Sequence, residues 1–64
     1  MIKEYDKIRL KTGEIARISE VLEEGVAYIA DIFKISGSIS IEQITHTDIE
    51  SVFIKTEHPV AKAV

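Results

Sequence analysis

The sequence predicts an all-β domain of five short antiparallel strands, with a one-turn 3₁₀ helix before the last strand. Apolar residues alternate with polar ones at a period of two in several short runs, and Gly13, Gly25 and Gly37 separate these runs. With 64 residues and no cysteine, the chain has room for one thin core without disulfide support. We expect a single domain over residues 1–58 and a C-terminal tail at residues 59–64.

The first strand is predicted at Tyr5–Lys11, where Ile8 and Leu10 point inward. A turn at Lys11–Gly13 follows, in which Gly13 adopts a left-handed conformation. The opposite face of this strand is basic and presents Lys7, Arg9 and Lys11.

A central hairpin is predicted over Glu14–Ile32, with its turn at Glu23–Gly25. Ile18 and Val21 fall in opposite phases of a strict strand, so one of them would face water. A β-bulge near Ser19–Glu20 resolves this conflict, because a bulge adds one residue and bends the strand.

The second arm of the hairpin is expected to point the Tyr28 face inward. The alternative for the first arm is an amphipathic helix through Ala16–Glu24. The residues that share the Tyr28 face are Val26, Tyr28, Ala30 and Ile32.

A loop at Phe33–Ser38 leads into a predicted fourth strand at Ser38–Ile44. In this strand Ile39 and Ile41 alternate with polar residues, and we expect both to be buried. This pattern gives the strand one buried and one solvated face.

The segment Thr47–Glu50 has the T-x-x-E spacing of a capping box and predicts a 3₁₀ turn. A fifth strand follows at Ser51–Lys55, with Val52 and Ile54 inward. His58 and Pro59 end the pattern, because proline cannot donate to a central ladder, and Val60–Val64 is expected to be a frayed tail that could dock on a partner.

Across residues 5–56, this layout resembles the SH3-like barrels, the fold shared by SH3, Tudor and KOW domains and by short bacterial proteins of unknown function. The resemblance implies a small five-stranded antiparallel barrel and assigns no functional residue. The residues that carry it are Ile8-Arg9-Leu10 with Thr12-Gly13, Ala16-x-Ile18, Tyr28-x-Ala30-x-Ile32 and Asp48-Ile49-x-x-Val52.

Composition narrows the function classes. The net charge of −3 and pI near 5.2 disfavour nucleic-acid binding, and the charged N-terminus leaves no room for a signal peptide or membrane span. We therefore expect a cytoplasmic protein without membrane contact.

No motif brings a nucleophile to a base, so we expect a non-enzymatic chain with no cofactor. His46 and Asp48 could ligate a metal, with His58 as a distant third ligand, but an H-x-D spacing carries little information.

Two surfaces are candidate partner-binding sites. The basic row of Lys7, Arg9 and Lys11 could track phosphates, although pairing with acidic residues of the neighbouring strand and turn is the favoured interpretation. These acidic residues are Glu14, Glu20, Glu23 and Glu24.

The second candidate is an apolar patch of Ile29, Phe33 and Phe53, which fall out of phase with the core. We expect a second copy of the chain to cover this patch in a homodimer. The alternative is that a bulge turns these side chains into the core. The predicted function is thus a small adaptor module acting through protein contacts, and the alternative is a nucleic-acid-binding barrel that uses the basic row.

Overall fold

A computed structural model describes residues 1–54 of the chain, without the side chain of Ile54. The strands are β1 at Lys7–Leu10, β2 at Ile15–Glu23, β3 at Ala27–Phe33, β4 at Ile39–Thr45 and β5 at Ile49–Ile54. They are antiparallel and form one sheet in the order β4-β3-β2-β1-β5, so the last strand returns beside the first. The all-β class, the five strands and the 3₁₀ helix before the last strand are confirmed.

Several predictions fall outside the described residues. They are the end of the fifth strand at Lys55, the break at His58 and Pro59, the domain boundary at residue 58 and the tail at Val60–Val64.

The core lies on one face of this sheet, which we call the inner face. Alternation along β1, β2 and β3 directs every second side chain into it, as the period-two pattern predicted. Ile2, Val21, Ile49 and Val52 pack around the margin of the core. Its buried apolar residues are Ile8, Leu10, Ala16, Ile18, Tyr28, Ala30, Ile32 and Ile44.

The hairpin of β2 and β3 has the predicted turn and the predicted bulge. Gly25 has φ 76°, and the Val26 N–H donates to the Glu23 carbonyl at 2.9 Å. Ser19 is the extra residue of the bulge, and its hydroxyl donates to the Ile29 carbonyl at 3.2 Å. The structure therefore contradicts the helical alternative for the first arm.

The bulge has the expected effect on phase, because Val21 returns to the inner face opposite Tyr28. Val26 departs from the prediction. It belongs to the turn rather than to β3, and 48% of its surface is exposed.

The phase predicted for the fourth strand was wrong. Ile39 and Ile41 are 59% and 71% exposed, and the buried residue of β4 is Ile44. The turn between β3 and β4 fixes this register through the Lys34 N–H, which donates to the Ser38 carbonyl at 2.8 Å. Because one register applies to a whole strand, Ile44 is directed inward and the two isoleucines outward.

The 3₁₀ helix also begins earlier than predicted, at His46–Asp48. Its capping residues are Thr45 and Asp48 rather than Thr47 and Glu50. The Asp48 carboxylate accepts hydrogen bonds from the Thr45 N–H at 2.9 Å and from the Thr45 hydroxyl at 3.2 Å. The T-x-x-D spacing serves the same purpose as T-x-x-E, because either carboxylate can reach back to the backbone N–H at the start of the turn.

A tight turn before β1 holds the N-terminus against β2. Tyr5 has φ 73°, and its N–H donates to the Ile18 carbonyl at 2.7 Å. Asp6 is fully buried, and its carboxylate accepts a hydrogen bond from the Lys3 N–H at 2.9 Å. This turn extends the pairing between the first two strands beyond Lys7.

Within residues 1–54, no helix has the length and apolar character needed to span a membrane.

Candidate functional site

The face of the sheet opposite the core, here the outer face, carries two neighbouring surfaces of different chemistry. Register across the sheet aligns Ile39, Phe33, Ile15 and Arg9 in one row from β4 to β1. The next row contains Ile41, Asp31, Arg17 and Lys7. The outer face is therefore mainly apolar on the β4 side and basic on the β1 side.

The apolar part is defined by five side chains, which we call the apolar surface. Ile39 and Ile41 are largely exposed, Ile35 is fully exposed, and Ile15 and Phe33 are half-buried. Exposed apolar residues that occur singly are normal, whereas a contiguous group of them is typical of an interaction site. The members of the apolar surface are Ile15, Phe33, Ile35, Ile39 and Ile41.

A shallow groove of about 370 Å³ opens at one end of the apolar surface. Ile15, Phe33 and Ile35 form its apolar wall. The residues 12–14 of the turn before β2 form the rest of the lining. Such a groove can receive one or two side chains of a partner, but it is too open to enclose a small substrate.

The basic part contains Lys7 and Arg9 of β1 and Arg17 of β2, which we call the basic cluster. The Arg9 guanidinium carbon lies 5.9 Å from the centre of the Phe53 ring, in cation–π range. Lys7 is directly opposite Arg17 in the ladder. Lys11 lies just past the end of β1, where the Lys11 N–H donates to the Asp48 carbonyl at 2.9 Å.

The expected pairing of this row with the acidic residues does not occur. Among residues 1–54, no carboxylate lies within 4.0 Å of the charged group of Lys7, Arg9, Lys11 or Arg17. The reason is the length of the hairpin: β1 pairs with β2 up to Arg17, whereas Glu20, Glu23 and Glu24 lie beyond the bulge.

Glu14, the acidic residue nearest to β1 in sequence, pairs instead with Lys34. The Lys34 Nζ donates to Glu14 Oε2 at 2.9 Å and lies 4.0 Å from Glu42 Oε2. The hydrogen bond from Lys34, helped by one from Thr12, lowers the pKa of Glu14 below its ordinary value. The same bond to Glu14 raises the pKa of Lys34.

His46 and Asp48, the candidate metal ligands, are engaged in other contacts. Tyr28 Oη and His46 Nδ1 are 2.9 Å apart, and Asp48 caps the 3₁₀ helix. Within residues 1–54, no group of three or more His, Cys, Asp or Glu side chains could hold a metal ion. His58, the proposed third ligand, lies outside the described residues.

The structure separates the three residues predicted to form one apolar patch. Phe33 is on β3 and Phe53 is on β5, so Ile15 of β2 and Arg9 of β1 lie between them. Ile29 is on the outer face but lies farther along the sheet, between Glu20 and Gln43. Phe33 thus belongs to the apolar surface and Phe53 to the edge of the basic cluster.

Sequence reasoning missed five members of these surfaces, namely Ile15, Arg17, Ile35, Ile39 and Ile41, and Ile35 lies in the segment that was predicted as a loop. Arg17 and Ile15 could have been found, because the short turn after β1 sets the register of β2 and both residues alternate with the buried Ala16. Ile39 and Ile41 were recognised as apolar, but the strand was assigned to the wrong face.

No protein-family model, curated protein or solved structure matches this chain.

Proposed function

We propose that this chain is a small binding module without catalytic chemistry, which recognises a protein partner through the apolar surface. The observation that carries the proposal is the row of Ile39, Phe33 and Ile15, which are adjacent in register and lie on the outer face. A chain of this size has few apolar residues to fill its core. Five of them on the outer face are better explained by a partner than by the stability of the monomer.

The groove beside Ile35 supports recognition of a side chain rather than of a flat surface alone. Ile35 is fully exposed, and it lines the groove together with the half-buried Phe33. Interface energy is concentrated where one partner's aromatic or aliphatic side chain fills such a depression. We therefore expect an apolar anchor residue in the partner.

The similarity to SH3-like barrels remains part of this proposal. The strand order supports it, because a meander whose last strand returns beside the first is the arrangement expected of a small five-stranded barrel. The fold class by itself does not specify a partner, whereas the apolar surface offers a place for one to bind.

A competition experiment in an extract of the source cell tests the proposal. Labelled wild-type chain captures the partner, and unlabelled chains are added to displace it. Unlabelled wild-type protein should displace a captured partner, whereas Ile35→Asp and Ile39→Asp should compete at least about tenfold less well. Ser51→Asp is the matched control, because it adds the same charge to the outer face on the β5 side. Equal competition by all variants would contradict the proposal.

The basic cluster supports a second candidate function, nucleic-acid binding. Lys7, Arg9 and Arg17 have no carboxylate within 4.0 Å in the described part of the chain, and Phe53 offers an aromatic ring beside them. Unpaired cations next to an aromatic side chain suit a phosphate backbone and a stacked base. The overall charge of −3 acts against this binding.

Salt titration of binding to DNA and RNA distinguishes the two functions. Nucleic-acid binding predicts micromolar or better affinity at near-physiological salt, and Arg17→Gln should reduce the slope of log affinity against log salt by about 1. Lys34→Gln removes the same charge outside the basic cluster and should leave the slope unchanged. Affinity that is weaker than micromolar, or that does not respond to salt, excludes this function.

A further inference from the structure

We propose that the free edge of β4 pairs antiparallel with β4 of a second copy of this chain, around a two-fold axis at Ile41, to form one continuous sheet. This inference goes beyond the proposed function, because the backbone groups at the edge of β4 carry the pairing and the outer-face isoleucines only add to it. It also replaces the pairing expected from Ile29, Phe33 and Phe53, which do not adjoin one another because β1 and β2 lie between Phe33 and Phe53 and Ile29 lies farther along the sheet.

The direction of the backbone groups of β4 follows from two hydrogen bonds at its ends. The Lys34 N–H donates to the Ser38 carbonyl at 2.8 Å, and the His46 N–H donates to the Val26 carbonyl at 2.7 Å. Both pairs share the register that the ladder of β3 and β4 keeps throughout its length. Because every second residue of an antiparallel strand bonds to the same neighbour, the even-numbered residues from 38 to 46 face β3.

The odd-numbered residues therefore present their backbone groups at the free edge. Ile39, Ile41 and Gln43 each direct one N–H and one C=O away from β3, and β3 is the one strand of the described residues that pairs with β4. The Thr45 N–H ends this series, because it donates to Asp48. Such a row of unpaired backbone groups is a template for another strand.

This edge lacks most of the features with which proteins block strand addition, although Glu42, opposite the buried Ala30, places one charge on the inner face. Its sequence, ISIEQIT, contains no proline, lysine or arginine, and its ladder with β3 has no bulge. Glu42 is the single charged residue, and Ile41 is 71% exposed.

The side chains of β4 suit a second copy of the same strand. With the axis at Ile41, the two Ile41 side chains are opposite each other, and each Ile39 faces Gln43 of the other copy. Glu42 then faces the second copy's Ser40, a hydroxyl residue that already hydrogen-bonds to Glu42 within the strand, Oγ to Oε2, at 2.7 Å. Moving the axis to Glu42 would place two carboxylates in direct opposition, which is unfavourable.

The same register joins the apolar surfaces of both copies. Ile39 and Ile41 lie on the outer face, and a two-fold axis perpendicular to the sheet keeps the two outer faces on the same side. The pair of strands thus gains cross-strand contacts between isoleucines in addition to hydrogen bonds between the edges. These contacts favour a second copy over an unrelated extended peptide.

Sedimentation equilibrium of the full 64-residue chain provides the first test. We expect a dimer at high micromolar concentration. Gln43→Pro should raise the dimer dissociation constant at least about tenfold, because each copy loses one edge N–H. Gln43 lies outside the apolar surface, and its N–H points away from β3, so proline is compatible with the folded monomer. Gln43→Thr keeps the N–H and should dimerise like the wild type.

Amide hydrogen exchange of the wild-type chain provides the second test and needs no variant. The Ile39, Ile41 and Gln43 amides should gain protection as protein concentration rises, whereas the Ser40 and Glu42 amides should be protected at every concentration. A monomer at high micromolar concentration overturns the proposal. A dimer that leaves the three edge amides unprotected also overturns it, and that result would leave the proposed function of the apolar surface intact.

Discussion

The two edges of the sheet are built differently. β4 has seven residues in unbroken register with β3, whereas the pairing of β5 with β1 shifts register twice. The extra residues of β5 are Glu50 and Phe53, and the strand begins directly after the 3₁₀ helix. Bulges twist an edge and interrupt its row of donors and acceptors, so β5 is a poor template for another strand.

The edges also differ in what they contribute to the core. β5 packs Ile49 and Val52 against the core, whereas β4 contributes the single buried residue Ile44. A strand that is regular, exposed and apolar on its outer face has more features suited to an interface than to stability. This contrast assigns association to β4, which is anchored in the core by Ile44 and leaves its outer face and free edge available.

The strongest test of this assignment compares two isoleucines on the same strand. Ile44→Ala removes a side chain that is 5% exposed and should lower the free energy of unfolding by about 2–5 kcal/mol. Ile41→Ala truncates a side chain that is 71% exposed and should change it by less than about 0.5 kcal/mol. Urea unfolding measured at a concentration where the chain is monomeric checks both values. Similar losses for both variants would mean that β4 has no face free for a partner.

A variant in the turn between β2 and β3 should lower the stability of the fold without changing either edge strand. Gly25 has φ 76°, so Gly25→Val forces a β-branched residue into the left-handed region and should cost about 1 kcal/mol or more. Apart from the chain neighbours, no atom lies within 4 Å of an added Cβ, so the cost comes from backbone strain and not from a clash at that atom. Thermal unfolding measures this cost. Gly25→Asn is the control, because asparagine tolerates this conformation and should lose less stability than valine.

One hydrogen bond joins the core to the 3₁₀ helix, the segment that connects the two edge strands, and removing it should lower stability. Tyr28 belongs to the core of β3, and its hydroxyl reaches His46 Nδ1 at 2.9 Å, at the start of the 3₁₀ helix. Tyr28→Phe should cost about 0.5–1.5 kcal/mol, because the ring remains packed and one hydrogen bond is lost. Chemical denaturation of this variant and of His46→Ala should give similar losses. If the double variant loses as much unfolding free energy as the two single variants together, the two side chains do not interact directly.

The smallest expected effect concerns the ion pair beside β4. The pKa of Glu14 is lowered, so its contribution to stability is present above the ordinary pKa of 4.5 and is lost as pH falls through the folded-state value. The pKa of Lys34 is raised, so its contribution is complete below 10.5 and is lost at higher pH. Glu14→Gln should melt slightly below the wild type at neutral pH, and the difference should disappear in acid. Both side chains are about one-third exposed to solvent, so added salt should also reduce the difference.

Local patterns were sufficient to predict most of this fold. The alternation of Ile8 and Leu10, the glycine turns and the phase conflict at Val21 each depend on neighbours in the sequence, and each prediction was confirmed. The face of β4 was predicted wrongly, because Ile39 and Ile41 lie on one face and Ile44 on the other, and the hydropathy pattern allows either face to be buried. The hydrogen bonds of the turn at residues 34–38 chose between them, and these are not visible in a hydropathy pattern.

The candidate site was less predictable than the fold, because it depends on register between strands. Lys7 and Arg9 were recognised from one strand alone, whereas Arg17 joins them from the next strand. Three of the acidic residues expected to neutralise them lie on or after the part of β2 that continues past the end of β1, and the fourth, Glu14, pairs with Lys34. Counting charges along the chain could not show this separation.

The return of β5 to β1 has a consequence for the order of folding. Every other ladder joins strands connected by a short turn, whereas the β1–β5 ladder brings together Leu10 and Ile49, about forty residues apart. Closing such a loop costs more chain entropy than forming a hairpin, so folding rates fall as contacts of this kind increase. The strand β1 is thus the last to acquire both of its neighbours, and we expect its pairing with β5 to set the folding rate.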